Sequence, residues 1–152
     1  MLDGRDIMTN KKYKTVHDEG TLRALEAIDR LDKTGSIFWD EQRTDLIKFS
    51  EKREKEAILL ARNMKGIELE KIGKVDEAIE LYEKNIEENF EGNHPYDRLS
   101  TIYRKNKDIL NEIRVLEKAI YVFENIVYAQ RGDRLPKLEK FRTRLEKAKK
   151  LL

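Results

Sequence analysis

The stretch that decides the fold is residues 59–124, which read LLARNMKGIELEKIGKVDEAIELYEKNIEENFEG (59–92) and then NHPYDRLSTIYRKNKDILNEIRVLEKAIYVFE (93–124). Aligning the two parts at an offset of 34 residues places similar residues opposite one another. The matched pairs are Gly66 and Ser100, Leu69 and Tyr103, Tyr82 and Leu116, and the tetrapeptides EKNI (83–86) and EKAI (117–120). A period of this length predicts helix pairs, each of which buries its apolar face against the next pair.

At this point the sequence resembles the tetratricopeptide repeat (TPR) family. In the first copy, counted from Leu59, Gly66 stands at the small position where the helices pack and Gly73 at the turn between them. The family pattern is incomplete, since Arg62 and Tyr96 hold its tryptophan place and, in the second copy, Glu112 and Leu116 replace the small and aromatic residues. The resemblance covers residues 59–124 and implies an all-α fold, a right-handed superhelix of antiparallel helix pairs.

The sequence before the repeats predicts two further helices. Leu22, Leu25, Ile28 and Leu31 recur at steps of three residues, which indicates an amphipathic helix that ends at Gly35. A second helix is predicted from Trp39 to Lys71. An unbroken helix of that span would be about 50 Å long, so we expect an interruption near Ser50.

The sequence after Gly73 predicts four helices. They begin near Val75, at His94-Pro95, near Ile109 with an end near Gln130, and after Pro136. The expected division is a flexible leader at 1–16, N-terminal helices packing on the repeats at 17–58, two TPR-like helix pairs at 59–131, and a C-terminal capping helix at 132–152. The flanking helices are needed because two repeats alone leave apolar faces uncovered.

The amino-acid composition excludes several kinds of site and partner. Charged residues make up 41% of the 152, the 32 basic and 30 acidic side chains nearly cancel, and there is no cysteine. These values exclude disulfides and thiolate metal sites and give no overall field that attracts nucleic acid. No stretch has the length and apolar character of a membrane span. We therefore expect a cytoplasmic protein with no membrane association.

The sequence offers no recognisable catalytic motif. Its two histidines, His17 and His94, have no carboxylates at metal-binding spacing, and it has neither a nucleophile elbow nor a glycine-rich phosphate loop. The many acidic residues stand among lysines, where ion pairing along helices explains them. The sequence predicts a protein that is not an enzyme and has neither cofactor nor metal.

The TPR resemblance implies a binding groove lined by the first helix of each pair. Its expected protein-binding residues are Asn63, Ile67, Glu70, Lys71, Asp97, Thr101, Arg104 and Lys105. The alternative is that these are ordinary solvated side chains. Asp97 and Thr101 stand where some TPR proteins clamp a peptide carboxylate with basic or amide residues, so a carboxylate clamp is not expected. The leading hypothesis is an adaptor or regulator that binds a protein or peptide.

Two alternative functions rest on the distribution of charge. Residues 66–97 hold ten acidic and three basic side chains, and the acidic face would comprise Glu80, Glu83, Glu87, Glu88 and Glu91. A small antagonist or accessory protein could use this face to bind a larger enzyme or a nucleic-acid-binding protein. In the second alternative, a non-catalytic subunit would touch a phosphate backbone through the basic terminal helix, by Lys137, Lys140, Arg144 and Lys147. Nucleic acid is the less favoured partner, because these lysines also suit a solvated capping helix.

Aromatic residues raise two further questions. Trp39 is the only tryptophan, and its neighbours are Ile37 and Phe38, so it is either a core residue under the first helix or an interaction anchor. Tyr121, Phe123 and Tyr128 crowd both sides of the helix that begins near Ile109. This helix is therefore either packed between neighbouring helices or paired with another copy of the protein, so a homodimer is a possible assembly.

Overall fold

The computed structural model describes residues 19–152, and this range is entirely helical, without a strand. Its helices are α1 (Glu19–Leu31), α2 (Ile37–Lys71), α3 (Val75–Glu87), α4 (His94–Lys105), α5 (Ile109–Asn125) and α6 (Arg134–Lys149). The predicted all-α class is confirmed. The predicted flexible leader at 1–16, together with His17, lies outside the described residues.

Local sequence explains most of the helix ends. Gly73 follows α2 with a φ of 82°, a left-handed conformation that glycine adopts without steric cost. Pro95 stands in the first turn of α4, where its missing N–H costs no hydrogen bond. Before α5, the Asp108 carboxylate accepts a hydrogen bond from the backbone N–H of Asn111 at 3.2 Å. These signals fix the connections between α2, α3, α4 and α5.

The helix α2 runs without interruption over 35 residues, so the break expected near Ser50 is wrong. The expectation rested on helix length, but no glycine or proline occurs between Ile37 and Lys65. The charge run EKREKE at 51–56 consists of good helix formers, and Lys52 lies 3.9 Å from Glu56 one turn later. Without a residue that breaks the backbone hydrogen bonding, the helix simply continues.

The helix α5 ends at Asn125, five residues before the predicted end at Gln130. The backbone N–H groups of Ile126 and Val127 both donate to the carbonyl of Val122, which closes the last turn. Arg134 then donates from Nε to the carbonyl of Phe123 at 2.7 Å. A side chain from the next helix thus satisfies one of the carbonyl groups that a helix end leaves without a partner.

The chain divides into two compact units between Ile58 and Leu59. In the first unit Leu25 is fully buried, and Leu46 and Ile47 of α2 pack against it. Arg43 of α2 also reaches α1 and the turn after it, with its guanidinium 2.7 Å from both Asp29 and Asp32. The hydrogen bond from Arg43 is the main reason why the pKa of Asp32 lies below its ordinary value.

Trp39 is only half-buried, and its ring stands edge-on to that of Phe38 at a centroid distance of 5.1 Å. Phe38 itself is exposed. Neither ring belongs to the buried cluster around Leu25. Among the described residues Trp39 is thus a half-buried side chain near the start of α2, and its assignment to the core stays a prediction.

The second unit has a continuous core. Helix α3 packs on α4, α4 on α5, and α5 on α6. The end of α2 joins them because Gly66 lies directly against the ring of Tyr82. At the other end, the ring of Phe141 in α6 stands 6.1 Å from that of Tyr96 and 5.4 Å from that of Phe123. Aromatic side chains thus connect α6 to both α4 and α5.

Candidate functional site

In the second unit, one ion pair links α2 to α4 and another links α4 to α6. We call these three helices, with α2 taken from Leu59 onward, the helix row. The first ion pair links α2 to α4. Arg98 donates from Nη2 to Glu70 Oε1 at 2.8 Å and from Nε to Oε2 at 3.1 Å. This two-point contact fixes the relative position of the two helices.

The second ion pair links α4 to α6. The guanidinium of Arg144 lies 2.7 Å from Asp97 and donates a further hydrogen bond to the Ser100 hydroxyl at 2.5 Å. Thr101 stands on the same side of α4, and its hydroxyl donates to the Asp97 carbonyl at 2.7 Å. Hydrogen bonds therefore hold the side chains of Arg144, Asp97, Ser100 and Thr101 in place.

Glu70 is the acidic member of the first ion pair, and its pKa is set by burial and by the groups that donate hydrogen bonds to it. Partial burial alone would raise the pKa of this carboxyl, but hydrogen bonds from Arg98 and Tyr82 outweigh it and leave the pKa below its ordinary value. The Tyr82 hydroxyl donates to Glu70 at 2.9 Å. Burial and the Glu70 charge together raise the pKa of Tyr82 well above the usual range. At neutral pH the site thus contains an ionised Glu70 and a neutral Tyr82.

His94, at the start of α4, completes this part of the row. Its Nδ1 lies 3.1 Å from the side-chain oxygen of the buried Asn63, and its ring stands edge-on to that of Tyr82. Burial lowers the pKa of His94 below 6.5, although the negative charge of Glu70 opposes the shift. The imidazole is therefore held as a neutral hydrogen-bonding group at physiological pH.

The predicted binding residues fall into two groups in the structure. Asn63 is buried and Glu70 and Asp97 are half-buried, and all three make contacts between helices. The others are the half-buried Ile67 and the exposed Lys71, Thr101, Arg104 and Lys105. The second group has more side-chain surface available to a ligand.

Arg104 also has a structural contact. Its Nε lies 2.7 Å from Glu112, a carboxylate that is only 2% exposed. Glu112 stands where the TPR pattern has a small residue, and Arg104 supplies the positive charge that this buried carboxylate needs. The buried Glu112 side chain of α5 thus has its partner on the neighbouring helix α4.

Sequence reasoning missed the residues that join the row. Arg98 was not singled out, and Arg144 was interpreted as a solvated residue or a phosphate contact. A signal did exist for Arg98, because it directly follows Asp97 on the short helix that carries four of the predicted groove residues. No comparable signal existed for Arg144, because its pairing depends on how α6 crosses α4.

An apolar face of α2 adjoins these polar contacts. Met64, which is 57% exposed, is followed by Ile67 and Lys71 at spacings of three and four residues. Such spacing places the three on one face of the helix. Gly66 and Leu69, which are buried, belong to the face that packs on the rest of the unit. The helix row therefore carries an exposed apolar side chain next to its charged contacts.

The proposed acidic face of α3 is partly neutralised within the chain. Glu83 accepts hydrogen bonds from Arg114 at 2.5 Å and from the Tyr103 hydroxyl at 2.5 Å, and Glu88 pairs with Arg62. Glu91 is half-buried, whereas Glu80 and Glu87 are exposed. Two of the five carboxylates thus already have a cationic partner.

A shallow cleft of about 320 Å³ separates α3 from α5. Its lining consists of Glu83, Ile86, Glu87, Arg114 and Lys118. One pair of opposite charges, Glu83 and Arg114, is already closed across it. The lining of the cleft therefore carries equal numbers of acidic and basic side chains. It has no excess of one charge that would select an ionic ligand.

Some of the basic side chains of α6 make ion pairs within the protein. Arg144 pairs with Asp97, and Lys137 lies 2.5 Å from Asp133. Lys140 and Lys147 are exposed. Two of the four residues considered for phosphate contact thus make intramolecular ion pairs.

Two absences can be stated for residues 19–152. Within this range, no three His, Cys, Asp or Glu side chains are grouped as they would be around a metal ion. None of the described helices combines the length and the apolar character needed to cross a membrane.

Comparison with known proteins gives no match: no protein-family model, no curated protein and no solved structure is significantly similar to the chain. The TPR resemblance therefore stays a prediction from the repeat itself.

Proposed function

We propose that residues 59–152 form a TPR-like right-handed superhelix of antiparallel helix pairs, and that its helix row binds a protein or peptide. The order of contacts supports this arrangement. The end of α2 contacts α3, and α4 packs on α5, so the two helices of each predicted pair are neighbours. The ion pair from α2 to α4 links the first helices of the two predicted pairs, and the ion pair from α4 to α6 links the second of these helices to the predicted capping helix.

The observation that carries the binding role is the exposed Met64 beside the charged contacts of the row. A methionine adapts its shape to different apolar partners, and interfaces commonly combine such anchors with a polar rim. Ile67 extends the apolar surface, and Lys71, Thr101 and Lys105 supply polar groups around it. No cofactor or reacting group is needed for this role.

The partner class suggested by this surface is a peptide segment with an apolar anchor. Met64 and Ile67 would contact the anchor, while Lys71 and Lys105 would favour acidic flanking residues. Glu70 and Asp97 have a different role in the proposal. They hold the helices of the row in register, because each already accepts hydrogen bonds from an arginine.

The test is selection from a randomised peptide display library with the full chain as bait, followed by calorimetry of the enriched peptides. We expect peptides with an apolar anchor, and we expect Met64→Glu to weaken their binding by ~30-fold or more, as for a central interface anchor. The matched control is Leu110→Glu, which changes an apolar side chain on α5 that is at least as exposed as Met64. Peptides that bind both variants as tightly as the unchanged protein would refute the site.

The acidic alternative predicts a different outcome in the same experiment. Binding through Glu80 and Glu87 would select basic peptides whose affinity falls steeply as salt is raised. Binding through Met64 and Ile67 would depend only weakly on salt. Selection of basic, salt-sensitive peptides that tolerate Met64→Glu would replace the present proposal with the antagonist role.

A further inference from the structure

Two exposed lysines of α6 lie on the side of this helix that faces α4. Lys140 stands four residues before Arg144 and Lys147 three residues after it, so the three side chains share one side of α6. Arg144 marks the direction of that side, because its guanidinium reaches Asp97 at 2.7 Å and the exposed Thr101 hydroxyl at 3.4 Å. Lys140 and Lys147 therefore adjoin the exposed part of α4.

Two acidic residues of α6 lie away from this surface. Glu139 stands five residues before Arg144 and Glu146 two residues after it, which places both on the other side of a helix with about 3.6 residues per turn. Within residues 19–152, neither Lys140 nor Lys147 is in an ion pair. The side of α6 next to α4 thus carries positive charge that the described residues do not neutralise.

The helix row has an apolar end and a basic end. Its exposed apolar part, Met64 with the half-buried Ile67, lies on α2. Lys71 and Lys105 are exposed one turn after Ile67 and Thr101, and they continue the basic side chains from α6 across α4 to α2. The two carboxylates at the helix contacts do not offset this charge, because each is already bound by an arginine.

We propose that the peptide bound by the helix row places its apolar anchor on α2 and acidic residues on α6, a second contact that rests on the proposed function. Packed helices lie about 8–10 Å apart, so α2 and α6, with α4 between them, are separated by about 16–20 Å. An extended peptide advances about 3.3 Å per residue. The acidic residues should therefore stand about five or six positions from the anchor.

The chemistry of the whole row favours an acidic peptide over nucleic acid. A phosphate backbone would be attracted by Lys140 and Lys147, but it has no apolar group to place against Met64 and Ile67 at the other end. The basic and acidic side chains of the chain also nearly cancel, so it has no large field to attract a polyanion.

Peptide display with the full chain as bait is the first test. We expect the enriched peptides to carry Asp or Glu about five or six positions from their apolar anchor. In calorimetry, replacing these acidic residues by Asn or Gln should weaken binding by about fivefold or more, because charge contacts at an exposed surface are lost. An acidic preference directly beside the anchor would instead assign it to Lys71 and overturn the contact with α6.

Two double variants locate the acidic contact. With Lys140→Gln and Lys147→Gln, the acidic peptide and its amide counterpart should bind within about twofold of each other, because the charges that distinguish them are gone. The control, Lys84→Gln with Lys149→Gln, removes the same net charge from α3 and from the side of α6 next to Glu117, and it should preserve the difference. All four lysines are exposed, and circular dichroism would verify folding. Loss of the difference in both double variants would mean general charge attraction and would refute the contact.

Failure of the acidic contact can be distinguished from failure of the peptide site. Peptides that are weakened by Met64→Glu but keep their acidic preference against Lys140→Gln with Lys147→Gln would refute the contact with α6 and leave the anchor site in place. Peptides insensitive to Met64→Glu would refute both. A single-stranded DNA of about 20 nucleotides that binds the full chain and is lost in the α6 variant alone would assign the lysines to a phosphate backbone and overturn the acidic peptide.

Discussion

Replacing Gly66 by alanine would test the contact that joins α2 to α3. A Cβ atom at this position would lie 2.5 Å from Cε1 and 2.9 Å from Cζ of Tyr82, far inside ordinary van der Waals contact. Tyr82 cannot easily withdraw, because it is fully buried and its hydroxyl is bonded to Glu70 at 2.9 Å. Either the helices separate or the Tyr82 ring shifts and weakens that hydrogen bond.

Three effects set the expected change in the free energy of unfolding, and one of them opposes the other two. Alanine is better than glycine in a helix interior by about 1 kcal/mol, which favours the variant. Overpacking of a tight contact costs about 1–3 kcal/mol, and a weakened hydrogen bond costs about 1 kcal/mol more. We therefore expect Gly66→Ala to lower the free energy of unfolding by about 1–3 kcal/mol, against its helix propensity.

Urea unfolding followed by circular dichroism would measure this change. The control Gly132→Ala adds a Cβ where no atom lies within 4 Å and should change the free energy by less than about 0.5 kcal/mol. In a Tyr82→Leu background, Gly66→Ala should lose its cost, because the ring it meets is absent. If Gly66→Ala instead stabilises the protein by the full ~1 kcal/mol of helix propensity, the described packing of α2 on α3 is wrong.

Three further predictions concern charged groups. Arg104→Met should lower the free energy of unfolding by about 1–3 kcal/mol in urea titration, because the buried Glu112 side chain loses its partner, and the 42% exposure of Arg104 holds the loss below that of a fully buried pair; an unchanged value would mean that the contact between Arg104 and Glu112 does not stabilise the fold. The free energy of unfolding should fall as the pH drops from 6.5 through the lowered pKa of His94. The unfolded chain binds a proton at His94 at a higher pH than the folded chain does, so acid favours unfolding. A plot of the free energy of unfolding against pH should be flatter in this range for His94→Gln. Arg43→Ala should speed amide hydrogen exchange in α1, because it removes the ion pair with Asp32; equal exchange in both proteins would count against that role.

The sequence was a good guide to the helices because their ends carry chemical signals. Gly73 and Pro95 mark turns, and the helices near them were placed within a few residues. The errors occurred where no such signal exists. The break near Ser50 was inferred from typical helix length alone, and the end of α5 was placed near Gln130 because the apolar positions of this helix continue to Val127.

The candidate site was less predictable because its contacts depend on helix crossing. The repeat indicated which positions lie on the first helices, but it could not show that Glu70 and Asp97 are each bound by an arginine. Arg144 is 47 residues from Asp97 in sequence, and nothing in the local pattern of either helix indicates that they meet. Such pairs are set by the angles and rotamers of packed helices, which a periodicity does not contain.

The order in which the helices of the second unit pack has a consequence for folding speed. Helix α3 packs on α4, α4 on α5, and α5 on α6, so most contacts close short loops between consecutive elements. Short loops cost little chain entropy, and helical domains with local contacts reach the native state within microseconds to milliseconds. Of the contacts described for this unit, the pairing of Arg144 with Asp97 spans one of the longest separations, 47 residues, so it closes one of the longest loops. We therefore expect this unit to fold on the fast timescale of helical domains, because only a few of its contacts join distant parts of the chain.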